Sequence, residues 1–208
     1  MNATEVSTEL RILEAAKRVF HHKGYDGARM QEIADEAGVN KSLVHYYYRN
    51  KDNIFKAVFE DAFSKLMTKL NEIFLSELPF KLKIETFVAY YISFLAENSY
   101  LPLFILNEIY KNPEQLKQLI EKQPLNPQAL MDKVRNEMKD ELNIDIDPFH
   151  IYINILALSI FPVIARPIIQ IIFGYSPAQL EQFYSERQKL VPEFIINAIK
   201  GYEDVPAH

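Results

Sequence analysis

Apolar residues return every three or four positions along almost the whole chain, and no stretch alternates long enough to make a strand. That spacing predicts an all-α protein. Ile12, Ala16, Val19 and Phe20 share one face of a first helix, capped by Ser7 or Thr8 and running to about residue 22. Lys23-Gly24 follows as a stop, since glycine takes the left-handed conformation that ends helices. A second helix is expected over 29–37, with Met30, Ile33 and Ala34 inward, and Gly38 interrupts it. Asn40 then caps a short third helix ending near Tyr48. Asn50 caps a long fourth, over 51–77, whose apolar stripe includes Ile54, Phe55, Val58, Phe59, Ala62, Phe63, Leu66 and Leu70.

Prolines punctuate the remainder and, being tolerated in a first helical turn, mark several starts. Helices are expected over 80–97, 102–111, 113–122, 127–142, 148–161, 163–173 and 177–200. The segment 151–173 is long and apolar enough to span a bilayer, but it holds Arg166, Pro162 and Pro167. A pair of buried helices is expected there instead, with no membrane partner.

The 208 residues are 49% hydrophobic, enough core for one large domain or two small ones. There is no cysteine, hence no disulfide framework and no thiolate metal site, which fits a reducing cytoplasm. No basic start followed by an apolar run opens the chain, so a cytoplasmic location is expected. The net charge of -5 argues against a uniformly basic nucleic-acid coat. Through Asp52, however, eight bases face eight acids, so the deficit lies wholly beyond the N-terminal segment. No Gly-rich phosphate loop, no Gly-x-Ser-x-Gly elbow and no metal-ligand spacing of histidines is present. Neither an enzyme nor a cofactor is expected.

The stretch GVNKSLVHYYYRNKDNIF, residues 38–55, carries more hydroxyl and charge than a core would use. Two helices joined by a tight glycine turn make a helix-turn-helix. Ala34 is small where the helices would cross, Gly38 makes the turn, and Ile33 and Val39 fill the junction. The second helix of such a motif lies in the major groove with its N-terminal residues near base edges. Lys41, Ser42, Leu43 and His45 are thus the base-reading candidates.

From ILEAAKRVFHHKGYDGARMQEIADEAGVN through KSLVHYYYRNKDNIF, over residues 8–60, the sequence resembles the TetR family of transcriptional regulators. It departs from the family pattern at Arg29, where Ser or Thr is common, at Ser42-Leu43-Val44-His45, and at Tyr48, usually Phe. The resemblance implies a helix-turn-helix DNA-binding domain over 1–51 and a helical ligand-binding and dimerisation domain over 52–208. Tyr46, Tyr47 and Lys51 match family positions that hold the DNA backbone, and Arg29 is placed to do the same. Tyr48 matches an inward position. The tyrosines have a second reading, as a clamp between the first and fourth helices.

The same resemblance implies a homodimeric repressor on a palindromic double-stranded operator, released by a small-molecule effector. Helices 148–161 and 177–200 would form the interface through Ile151, Ile155, Leu158, Phe183, Leu190, Phe194 and Ile195, unless that face covers the chain's own core. Phe87, Tyr91, Phe94, Phe104, Asn107, Tyr110, His150 and Asn154 are the pocket candidates, with ordinary core packing as the competing explanation. Their aromatic character suits a hydrophobic or aromatic ligand. A DNA-architectural or interaction protein of the same fold, with no inducer, is the alternative.

Overall fold

A helix start leaves unpaired N–H groups, and this chain meets them with short polar side chains. Asn40, Asn50, Asn126, Asp147 and Ser176 each accept a backbone N–H one turn into the helix that follows. The computed structural model describes residues 3–111, 113–123 and 126–201, without the side chains of 3–6, 107–109, 111, 115 and 116. Every element among them is a helix. In chain order these are α1 (Ala3–Gly27), α2 (Met30–Ala37), α3 (Lys41–Tyr48), α4 (Lys51–Leu75), α5 (Phe80–Glu97) and α6 (Leu101–Lys111). They continue as α7 (Pro113–Glu121), α8 (Pro127–Leu142), α9 (Pro148–Ile164), α10 (Arg166–Phe173) and α11 (Pro177–Lys200).

α1 starts at Ala3, ahead of the expected Ser7 or Thr8 cap, and breaks at Gly24 as expected, at a non-helical φ of 67° and ψ of -179°, before a short helical run to Gly27. Pro162 does not end α9 but lies inside it. A proline cannot donate to the carbonyl one turn back, here that of Leu158. Arg187 of α11 supplies the missing donor, its Nη2 lying 2.6 Å from Leu158 O. The chain bends instead at Ala165, and α10 leaves α9 at 57°. The expectation of two buried helices holds only for one side of α9; α10 has no buried residue. No single helix among the described residues is long and apolar enough to cross a membrane.

Two cores form, and α4 belongs to both. Its first turns place Ile54, Phe55 and Val58 among Ile12, Ala16, Phe20, Ile33, Val44 and Tyr48. Its last turns place Leu66, Leu70, Ile73 and Phe74 in the larger core built on α5, α8, α9 and α11. Between them, Phe59 and Ala62 meet Leu101 and Leu119, with Tyr100 and Phe104 packed alongside. α5, apolar nearly all round, is the centre of the larger unit and packs against α4, α8, α9 and α11.

The α4–α5 corner is held by charges buried beneath it. Lys83 is 1% exposed. Its Nζ donates to Phe74 O at 3.2 Å, an open carbonyl of the last turn of α4, and lies 2.6 Å from Glu137 Oε1 of α8. One turn on, Glu141 Oε2 accepts the Phe80 N–H at 2.8 Å and so caps α5. Removing one partner of a buried pair strands the other charge. Glu137→Ala should therefore lower the unfolding free energy by about 3 kcal/mol, while Lys83→Met combined with Glu137→Leu should recover most of it. Urea denaturation of the three chains checks both.

Candidate nucleic-acid interface

The turn between α2 and α3 follows from one glycine. Gly38 sits at φ 64°, ψ 38°, a left-handed conformation that side chains with a Cβ resist. Its N–H bonds to Asp35 O at 3.1 Å and that of Val39 to Ala34 O at 3.0 Å, which closes the C-terminus of α2. Arg11 of α1 adds a second lock, its Nη2 lying 2.8 Å from Ala37 O and 3.3 Å from Gly38 O. Asn40 Oδ1 then accepts the Leu43 N–H at 2.8 Å and starts α3. At the N-terminus of α2, Glu32 accepts the Arg29 N–H at 3.1 Å, the part that the acid at the third helical position plays in a capping box.

α3 buries Val44 and Tyr48 against the head core, so the opposite face is fixed. Lys41, Ser42, His45, Tyr46 and Arg49 are exposed along that face. Leu43 is half-buried on its flank. Tyr47 is half-buried against the core, with its ring edge-on to Tyr46 at 5.2 Å. Tyr48 turns inward, its hydroxyl 3.4 Å from Glu9 O. The tyrosine run is therefore graded: Tyr46 outward, Tyr47 between, Tyr48 in the core.

The charges are sorted as well. Arg18 and Lys23 of α1 pair with Glu36 and Glu32 of α2, which neutralises acids behind the turn. Lys41 and Arg49 pair with no acid among the described residues. Arg29 is exposed at the start of α2. Lys51 is more restrained than expected. Its Nζ donates to Tyr25 O at 2.8 Å and lies 4.3 Å from the centre of the Tyr25 ring. The Tyr25 hydroxyl in turn donates to Asp52. Arg11, Tyr25 and Asp52 were not among the candidate residues.

Of the pocket candidates, Phe87 borders a cavity among the described residues. It is small, ≈ 30 Å³, and is lined by Leu70, Phe74, Ile84, Phe87, Val134, Ile151 and others of α4, α5, α8 and α9. Tyr91 is buried beside it, stacked on Phe87 at 5.5 Å, but does not line it. Phe94 and Phe104 pack elsewhere, Phe104 against Phe55 at 4.4 Å. Tyr110 is 86% exposed, and His150 and Asn154 lie on the outer surface of α9. The side chain of Asn107 is outside the described residues. Residue type suggested these positions, and helix rotation separates them. Leu130, Met131 and Tyr152 were missed.

The interface candidates divide in the same way. Ile151, Ile155 and Ile195 are buried in the chain's own core, so they present no free surface. Leu158 and Phe183 are half-buried, while Leu190 and Phe194 are exposed. The outward face of α9 carries Ile153 and Phe161 instead, and α10 adds Ile168, Ile171, Ile172 and Phe173. Ile171 is 82% exposed and Phe161 68%.

The head has the geometry of a helix-turn-helix, and residues 12–58 match the family model described as bacterial regulatory proteins, tetR family. The chain is 46% identical over 54 residues to the HTH-type transcriptional repressor SCO4008 of Streptomyces coelicolor, covering 26% of this chain and 28% of that one. It is 24% identical over 111 residues to the fatty acid metabolism regulator protein of Bacillus subtilis, covering 53% and 57%. The matched segments thus span about a quarter to three fifths of these relatives. The fold as a whole is that of the transcriptional regulator FadR from Bacillus subtilis in complex with stearoyl-CoA. That likeness has a TM-score of 0.59 and 20% identity, and covers 88% of this chain and 96% of that one.

The clamp on Tyr25 has a measurable signature. Burial, then the Asp52 carboxylate, pushes its phenol from 10.0 up to about 12. Burial, then Glu9, pushes Tyr48 to about 12 as well. The folded chain holds these protons more tightly than the unfolded chain. Their contribution is whole below pH 10 and is lost as pH rises toward 12. Denaturant midpoints should fall across that window, and Tyr25→Phe with Tyr48→Phe should flatten the fall.

Proposed function

We propose that this regulator is a homodimeric repressor that binds a palindromic operator in the cytoplasm through α3. The observation that carries the reading is the outward face of α3, where Lys41, Ser42, His45, Tyr46 and Arg49 are all exposed, and Lys41 and Arg49 pair with no acid among the described residues. In the proposal, Lys41, Ser42, Leu43 and His45 read base edges. Arg29, Tyr46, Tyr47 and Lys51 hold phosphates and fix register. Residues 1–51 form the DNA-binding head and 52–208 the regulatory body.

The exposed apolar residues of α9, α10 and α11 support a two-fold partner. Phe161, Ile171, Ile172, Phe173, Leu190 and Phe194 are large apolar side chains left exposed, and a two-fold partner would cover them. Two copies would then present two α3 helices to half-sites separated by roughly 34 Å or a multiple of it.

The effector is a molecule with an apolar body. It enters through the cavity beside Phe87, and the stearoyl-CoA held by the Bacillus subtilis FadR structure is an example of the type. The ≈ 30 Å³ now open is far below the ~300 Å³ that a small-molecule site encloses. That observation favours a second reading, a DNA-architectural protein without an inducer. Titrating candidate acyl and aromatic ligands against an operator complex separates the two, since only the first reading has a ligand that releases DNA.

Selection from random DNA should enrich a palindrome. Lys51→Ala and Tyr47→Phe should weaken all operators alike, whereas Lys41→Ala should change the preferred sequence, at about 1–3 kcal/mol of discrimination. Equal behaviour of Lys41→Ala and Lys51→Ala on every operator variant would sink the division of roles. Phe161→Glu with Phe194→Glu should sediment as a monomer and lose operator affinity; an unchanged dimer would refute the proposed face.

A further inference from the structure

α3 ends in a backbone conformation that few residues adopt. Arg49 has φ 64° and ψ -49°, and the Asn50 N–H bonds to Tyr48 O at 2.7 Å across it. This is a γ-turn with positive φ at a residue that bears a Cβ, a rare and strained geometry. The turn has two products. It lets Asn50 cap α4 at once, with Asn50 Oδ1 accepting the Asn53 N–H at 2.9 Å. It also leaves the Arg49 carbonyl facing the last turn of α3, where His45 Nδ1 lies 2.8 Å away.

A carbonyl oxygen can only accept. The ring nitrogen that meets it must therefore be the one that carries the proton. With Nδ1–H committed to Arg49 O, the neutral ring has a bare lone pair at Nε2. His45 is exposed and shares its face with Lys41, so the ring stands where base edges would lie. Lys41 brings only donors to that groove, suited to the O6 and N7 acceptors of guanine. Nε2 of a neutral His45 brings an acceptor one helical turn away. The major-groove groups that satisfy an acceptor are the exocyclic amines, N6 of adenine and N4 of cytosine.

We infer that the Arg49 turn fixes the tautomer of His45, so that His45 selects an amino base, adenine or cytosine, through Nε2. The inference rests on the reading of α3 as the recognition helix. Arg49 acts here as a positioning residue through its main chain, whatever its side chain contacts.

Two measurements test it. The first needs no DNA. Long-range proton–nitrogen spectra of the labelled protein, taken at a pH alkaline enough for a neutral ring, should show His45 as the Nδ1–H tautomer. The His45→Gln chain assigns the signal. The second uses selection from random DNA with the native chain and with His45→Arg. The base pair whose preference changes is the one beneath residue 45, and the donor-only arginine should move it toward a keto base, guanine or thymine. On the native operator, replacing adenine there by purine, or cytosine by pyrimidinone, removes only the amine. Native affinity should fall about fivefold, the size of one net hydrogen bond, while His45→Ala should not distinguish the two DNAs.

An Nε2–H tautomer, or an operator that binds equally well without the amine, overturns the inference and leaves the regulator reading intact. A chain that enriches no operator overturns that reading, and His45's role falls with it even if the ring spectrum is as expected.

Discussion

The arrangement depends on α4 being one stiff rod shared by two cores. A 25-residue helix is about 37 Å long, and its hydrogen-bonded backbone transmits a tilt instead of absorbing it. Phe55 near its start is packed by Phe20 and Tyr25 of the head and by Tyr100 and Phe104 from the body. Phe74 at its end has its carbonyl held by Lys83. Neither end can move without disturbing a buried cluster. The two parts are thus geared, with Tyr100 and Phe104 packed against the N-terminal core.

The sign of the head's field is decided by pairing more than by composition. Its eight bases and eight acids cancel in sum. Arg18 and Lys23 nonetheless turn toward Glu36 and Glu32, and Lys17 toward Asp61 of α4. The neutralised acids lie at the packing seams, and Lys41 and Arg49 are left outward. A chain of net charge -5 can in this way present a locally cationic edge, because phosphates respond to the nearest charges across a screened solvent.

Local signals carried most of the fold. The Asn and Ser caps, the Gly38 turn and the stripes of α1 and α4 lie within a few residues of what they control, so sequence order reveals them. What escaped was long-range. Arg11 meets Ala37, Arg187 meets Leu158 and Glu141 meets Phe80, over separations of 26, 29 and 61 residues. No local pattern announces a guanidinium that repairs a proline's gap on another helix. The division of α9 was illegible for a different reason. Ile151 and Ile153 are equally apolar, and a helix that is apolar on every side has no periodicity to say which one turns inward. Pocket residues chosen by aromatic character failed similarly, since chemistry does not give rotation about a helix axis.

The tight lining of the cavity beside Phe87 has a consequence in time. A space of ≈ 30 Å³ holds about one water, so an effector of useful size does not fit it as it stands. Its entry would wait for α8 and α9 to part, and its exit would wait for the same event. Arrival and departure would then share one clock, set by the breathing of the protein rather than by the concentration of the ligand. A cell using such a sensor would respond with a lag and would retain the signal after the molecule itself had gone.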